Sequence, residues 1–342
     1  MGLRVLVTGA GGFVGGAIAR ELIERGHSVR SFSRGEHAEL AELGITPFRG
    51  DLADSAAVDA AAQGCDAVVH AAAKAGVWGP REEYERTNVL GTHNVVSACR
   101  RAGVGRLVFT SSPSVVFDGN DQHGIAEGSG YPSRFLAHYP RTKAAAERIV
   151  LEADGPGLAT VALRPHLVWG PGDPHLVPRV IERARSGRLR ILCRRGQPSG
   201  LVDSTFVDNA ANAHVLALEK LNERSPLRGR AYFISNGEPI EMADLLRRIL
   251  AAAGLPPVAQ RFSPLAAYAA GAVLEAAFAL LGWSTEPPMT RFVARQLSTA
   301  HWFDISAARR DLGYEPRVRL EEGFERLRRW LEQAPSRCAA AM

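Results

Sequence analysis

Lysine is nearly missing from this chain. Only Lys74, Lys143 and Lys220 stand among 41 basic residues, so the other 38 are arginine. A lysine at a position that chemistry requires is therefore informative. Cysteine is sparse as well: Cys65, Cys99, Cys193 and Cys338 lie far apart with no CxxC pair. That spacing suggests neither a zinc site nor a disulfide framework, and reduced thiols in a cytoplasmic protein are the expectation. The ten histidines lack ligand spacing such as HExxH, so no metal is expected. The net charge of +5 is spread along the chain without a basic stripe carrying interleaved aromatics, so no nucleic-acid partner is expected. The N-terminus runs straight into a strand pattern, LRVLVTG, which leaves no room for the longer apolar region of a signal peptide.

Long apolar runs are rare too. The one that stands out is Pro264–Trp283, PLAAYAAGAVLEAAFALLGW, in which Glu275 is the only charge. Its length just reaches that of a bilayer-spanning helix, but a carboxylate past its middle is costly in lipid. A buried or dimer-packing helix is the leading expectation. The alternative is a hydrophobic surface that touches a membrane or guides a greasy substrate.

What is present is a regular alternation. Strands are predicted at Leu3–Thr8, Ser28–Ser33, Thr46–Arg49, Ala67–Ala71, Arg106–Ser111 and Thr160–Arg164. Helical patterns lie between them at Phe13–Arg25, Ser55–Ala62, Glu82–Ala102 and Tyr139–Glu152. Such repeats predict an α/β fold, a doubly wound parallel (Rossmann) sheet, over residues 1–165. The less regular second half, 166–335, is predicted to form a smaller substrate lobe, apart from a strand at Arg230–Ser235 that returns to the main sheet.

The opening TGAGGFVG places Gly9, Gly12 and Gly15 in a GxxGxxG spacing between a strand and a helix. Glycines let the backbone approach a pyrophosphate, and the first amides of the helix, at Phe13, Val14 and Gly15, point at its charge. The second strand ends in Ser33 and Arg34, where an NAD enzyme usually carries an acid. No carboxylate there would repel a 2′-phosphate and Arg34 can pair with one, so NADP(H) is favoured, with NAD(H) as the alternative. Asp51, followed by Leu52, is expected beside the adenine. Ala71 and Ala73 of HAAA are expected beside the nicotinamide ribose, and Pro165 and Val168 beside the carboxamide.

YPRTK places Tyr139 and Lys143 on one helix face. With six tyrosines and three lysines, chance supplies about 0.05 such pairs. A fixed ammonium is expected to lower the phenol's pKa and make it a useful acid or base. Ser112, just past the fifth strand in TSSPSVVF, can hold a substrate oxygen; its neighbours Ser111 and Ser114 leave a shared role open.

Together with NVLGT at Asn88–Thr92, LRP at Leu163–Pro165 and LGYEP at Leu312–Pro316, these motifs resemble the extended short-chain dehydrogenases/reductases over nearly the whole chain. The resemblance implies a catalytic triad of Ser112, Tyr139 and Lys143, with Asn88 able simply to brace the fold. Within that family the chain is most similar to the 3β-hydroxysteroid dehydrogenase-like branch. AAAKAGVWG, SSPSVVF, HYPRTK and LRPHLVWGPGD look especially like the bacterial 2-alkyl-3-oxoalkanoate reductases. That implies reduction of long-chain β-keto acids in head-to-head hydrocarbon synthesis, a hydrophobic small-molecule substrate, a homodimer and assembly with other enzymes of that pathway.

For a β-keto acid, Lys74 just after strand four is a candidate holder of the carboxylate, with Trp78 walling the alkyl side and His166 a further substrate-side candidate. Lys74 on a cofactor phosphate or in solvent is the alternative. Rival functions are a 3β-hydroxysteroid or sterol-4α-carboxylate 3-dehydrogenase, a nucleotide-sugar epimerase or dehydratase, and a non-catalytic NADP sensor. Dehydratases resemble TDE at the serine motif, where this chain has Ser112-Pro113-Ser114, and sensors commonly lack the Tyr and Lys.

Overall fold

The computed structural model describes residues 2–194 and 196–333; Cys338 and the last two positions of the expected lobe lie outside them. Seven strands form the main sheet: β1 (Arg4–Thr8), β2 (Ser28–Ser33), β3 (Thr46–Arg49), β4 (Ala67–His70), β5 (Arg106–Thr110), β6 (Ala159–Pro165) and β7 (Arg230–Ile234). All neighbours are parallel, in the order β3-β2-β1-β4-β5-β6-β7. Strands β4 and β6 are buried at every residue. This follows from helices covering both faces of a parallel sheet, and it is why these strands read as apolar runs rather than alternations. The chain reverses its strand order between β1 and β4, which opens the crevice that binds ligands in such sheets.

Helices α1 (Phe13–Glu24), α2 (Ser55–Ala62), α3 (Gly91–Ala102) and α4 (His138–Glu152) supply the crossovers of the first half. The pattern predicted one helix over 82–102. The observed helix is interrupted by a wide π-type turn at Glu85–Leu90, a local widening that a 3.6-residue period does not reveal.

In the second half, α5 (Leu176–Arg185), α6 (Val207–Lys220), α7 (Met242–Ala252), α8 (Pro264–Leu280) and α9 (Arg291–Ser298) follow. Helix α6 packs against α1, tied by Arg25 to Asn212 at 2.6 Å and to Glu219 at 2.8 Å, so it belongs to the sheet's covering layer. The lobe also holds a small four-stranded sheet, in the order Ile240–Glu241, Leu201–Val202, His301–Phe303, Gln122–Ile125. Its last strand comes from the first half of the chain, so the lobe is assembled from both halves. Strands of two to four residues carry too little periodicity to be read in advance.

Among the described residues no helix is long and apolar enough to cross a membrane. Helix α8 is neither a span nor buried: it packs on α9 and leaves Leu265, Val273 and Leu280 exposed.

Candidate active site

The carboxyl ends of the central strands open into a cleft of about 610 Å³. Gly9, Gly12, Phe13, Val14 and Gly15 form its floor at the start of α1; Ser33, Arg34, Asp51 and Leu52 lie at one end, and Ala71, Ala73, Pro165 and Val168 line its middle. Ser112, Tyr139 and Lys143 face the same space. The glycines are sterically required. A Cβ on Gly15 would stand 2.1 Å from the Gly9 carbonyl oxygen, and one on Gly9, at φ 75°, would meet the Ala72 Cα at 2.8 Å. Helix α1 has Gly12 as its N-cap, no capping side chain and no acid in its first turn. Its leading amides therefore remain available to a phosphate, and the cradle fits a dinucleotide.

At the adenine end Arg34 is exposed, while Arg49 and Glu36 beside it pair with each other at 3.3 Å. Asp51 keeps its place on the wall with its carboxylate engaged by the Ala53 amide at 2.9 Å and the Arg86 guanidinium at 3.0 Å.

At the other end, Ser112 caps a short 3-10 turn, Pro113–Val116. Its Oγ accepts from the Ser114 amide at 3.2 Å and from the Ser114 hydroxyl at 3.0 Å. Both bonds come in, so the Ser112 proton stays free to be donated into the cleft. Ser114 is thereby a support rather than a second catalytic hydroxyl. Ser111 is buried with its Oγ unpartnered and its amide bonded to the Leu163 carbonyl at 2.6 Å.

Lys143 is buried. Its Nζ donates to the Thr110 carbonyl at 2.6 Å and lies 4.0 Å from the centre of the Phe109 ring. Burial, the largest influence, draws the ammonium down to about 7, partly opposed by the charge of Glu147. Glu147 is itself committed to a buried pair with Arg164 at 2.6 Å. Tyr139 departs from the expectation that its lysine neighbour lowers it. Burial pushes the phenol up, against a smaller lowering by the Ser112 hydroxyl. In a dry site, desolvation of the charged form outweighs an ammonium already occupied by a carbonyl. The result is a phenol that holds its proton at neutral pH.

Asn88 braces this arrangement. Its side chain accepts from the Lys74 amide at 2.7 Å, donates to the Lys74 carbonyl at 3.1 Å, and donates to Thr142 Oγ1 on the catalytic helix at 3.0 Å. Asn88 lies within the π-type turn.

The three substrate-side candidates fall elsewhere. Lys74 does not line the cleft: its Nζ pairs with Glu83 at 2.7 Å and lies over the Tyr84 ring, because the loop after β4 turns the side chain outward. Trp78 donates to the Trp283 carbonyl at 3.0 Å and joins Phe278 in a separate surface cleft beside His138. His166 is buried. Since His301 Nε2 must donate to the Gln296 carbonyl at 2.6 Å, its Nδ1 accepts from His166 Nε2 at 2.8 Å, so His166 is spent on the core.

An apolar pocket between the lobes was expected from the sequence, walled partly by residues 264–283, but the elements that line it were not. A chamber of about 530 Å³ adjoins the cofactor cleft, sharing Leu167 and His175 with it. Apolar side chains from α5 (Leu176, Val180), α7 (Met242, Leu245, Leu246) and α9 (Phe292, Val293, Leu297) line it, with Arg179, Arg183, Arg188 and Arg190 also on its wall. Helix α8, expected on such a pocket, is not part of this lining; Phe262 before it and Met289 after it are. Leu167, at the junction, has φ 40°, the one non-glycine at positive φ among the described residues. Such a conformation costs about 1–3 kcal/mol and persists where neighbours impose it. Here Thr205 does so, binding the Leu167 carbonyl through its amide at 3.3 Å and the His166 carbonyl through its hydroxyl at 2.8 Å. That strained backbone was the signal in waiting, but no residue type announces it.

A dinucleotide cradle that ends on a proton-bearing phenol, a serine and a buried lysine is the equipment of an NAD(P)-dependent oxidoreductase acting on CH–OH and C=O groups, of the short-chain dehydrogenase/reductase type. More narrowly, the chain belongs to the 3-beta hydroxysteroid dehydrogenase/isomerase family, whose model matches residues 6–263. Two relatives named 2-alkyl-3-oxoalkanoate reductase are similar to it. That of Shewanella oneidensis is 52% identical over 94% of this chain and 84% of its own, and that of Stenotrophomonas maltophilia 51% identical over 95% and 98%. Among solved structures, MoeE5 in complex with UDP-glucose and NAD is 28% identical with a TM-score of 0.72, covering 97% of this chain and 100% of that one. The cofactor is thus a nicotinamide dinucleotide, and the protein is an oxidoreductase of this family.

Proposed function

We propose that the protein reduces the β-keto group of long-chain 2-alkyl-3-oxoalkanoic acids with NADPH, giving 2-alkyl-3-hydroxyalkanoic acids. The observation that carries this reading is the apolar chamber joined to the Ser112–Tyr139–Lys143 cleft at Leu167 and His175. It offers burial to an alkyl chain while the ketone stays at the tyrosine. The two relatives at about half identity, named for this activity, support the same reading.

The nicotinamide, when bound, supplies the hydride. The protein's own part is the proton and the oxygen. Tyr139, kept protonated by burial, gives its proton to the carbonyl oxygen, and Ser112 donates a hydrogen bond to that oxygen as charge develops. Lys143, positioned by the Thr110 carbonyl, would hold the nicotinamide ribose. Arg34, exposed at the cleft with no acid at Ser33, supports NADP(H) as the partner.

The test is cofactor oxidation by the purified protein with 2-alkyl-3-oxo acids and, in parallel, with 3-keto sterols, each with NADPH and NADH. Turnover of the keto acids with at least tenfold preference for NADPH is expected. Turnover of sterols alone, or equal kcat/KM for the two cofactors, contradicts the respective half of the reading.

A further inference from the structure

Lys74 leaves the substrate's carboxylate without the receptor that sequence spacing suggested, and the chamber wall offers another. Helix α5 starts immediately after His175, which lines both cavities. One turn on stands Arg179 and a further turn on Arg183, both on the chamber side of the helix. A strap between α8 and α9 is latched to these two arginines. Glu286 binds Arg179 through both carboxylate oxygens, at 2.8 and 3.3 Å, and the Pro288 carbonyl accepts from Arg183 at 3.2 Å. The next residue, Met289, lines the chamber.

The Arg179–Glu286 pair is thus a carboxylate held by a bidentate guanidinium on the chamber side, one helical turn beyond His175, where the chamber meets the cleft. The pair is partly solvated, with side chains 49% and 27% exposed. Exchanging one carboxylate for another on such an arginine costs little, because a solvated ion pair contributes little net stability. By contrast, Arg188 is paired with Glu182 at the far end, and Arg190 is spent on the Gly187 and Leu189 carbonyls.

We propose that Arg179 is the receptor for the substrate's carboxylate and that Glu286 is its internal stand-in, displaced when a 2-alkyl-3-oxo acid enters. This rests on the β-keto acid reading given above. Fixing the carboxylate there aims the neighbouring ketone toward Tyr139 and sends an alkyl chain along α5 into the chamber.

The test is direct binding rather than turnover. A 2-alkyl fatty acid without the keto group and its methyl ester are titrated calorimetrically onto the full chain with NADP+ present, in wild type, Arg179→Met, Arg179→Lys and Glu286→Gln. Wild type is expected to bind the acid roughly threefold to fivefold tighter than the ester, the worth of a partly solvated ion pair that must displace Glu286. Arg179→Met should bring that ratio close to one, Arg179→Lys should restore part of it, and Glu286→Gln should enlarge it several-fold. Retention of the acid preference in Arg179→Met, no acid preference in wild type, or no gain in Glu286→Gln overturns the proposal. If the acid preference behaves as expected while 3-oxo acids are not reduced, the receptor stands and the catalytic reading fails.

Discussion

The cofactor cleft and the chamber beside it were built by different rules, and only one set is visible in a sequence. In the cleft, each contact demands a particular residue at a particular spacing. A side chain at Gly9 or Gly15 collides with backbone, and Tyr139 and Lys143 must be one helical turn apart. Away from its arginines, the chamber demands only apolar bulk, delivered by α5, α7 and α9 from three separate stretches of chain. Leucine, valine and phenylalanine there look like any core, so the cavity exists only once the helices are placed. Specific chemistry is legible and permissive volume is not.

The largest effect expected on the cleft side is that of Tyr139→Phe. It removes the proton donor and should lower kcat by roughly 10²–10⁴ while leaving the cofactor dissociation constant within a factor of two, as read by cofactor titration. A near-normal kcat would show that the phenol is not the donor.

Next comes the buried ammonium. Lys143 falls from 10.5 to about 7 on folding. Below about pH 7 it is charged in both folded and unfolded chains, and the folded state bears the full desolvation cost. Between about pH 7 and 10.5 the folded lysine is neutral while the unfolded one is still charged, so the cost is relieved as pH rises. Lys143→Met should therefore be more stable than wild type at pH 6, by on the order of a few kcal/mol. That advantage should shrink toward pH 10 in denaturant titrations. An advantage independent of pH would place the cost in packing rather than charge.

A smaller effect is expected at the adenine end. Arg34→Ala should raise KM for NADPH about tenfold, the loss of one charged contact, with a much smaller change for NADH. Parallel changes for both cofactors would make Arg34 a general support of the cleft wall.

The legibility of the fold follows the same division. The seven sheet strands were all visible because short β-rich runs recur between helical patterns, apolar in β1, β4, β5 and β6 and more polar in β2 and β3. The lobe was not, because its sheet is made of very short strands, one of them borrowed from Gln122–Ile125. Lys74 misled for a related reason. Its place after β4 was read correctly, but spacing along a loop does not say which way a side chain turns, and Glu83 with the Tyr84 ring turned it outward. His166 misled because a histidine beside the site looks the same whether it faces a ligand or, as here, His301. Helix α8 was recognised as unusual, yet composition alone could not tell a pocket wall from the exposed surface that Leu265, Val273 and Leu280 present.

The most direct test of the joined cleft and chamber is chain-length dependence with the chamber partly filled. Val293 lines it from α9 without being fully buried, so Val293→Trp narrows the chamber while the catalytic residues stay in place. The measurement is kcat/KM for NADPH-dependent reduction of short- and long-chain 3-oxo acids by wild type and Val293→Trp. Wild type should gain with each added methylene until the chamber is full, and Val293→Trp should lose about tenfold or more on the long chains and little on the short ones, a few methylenes' worth of burial. Equal losses at every chain length, or a wild type indifferent to length, would contradict the assignment of the chamber to the substrate.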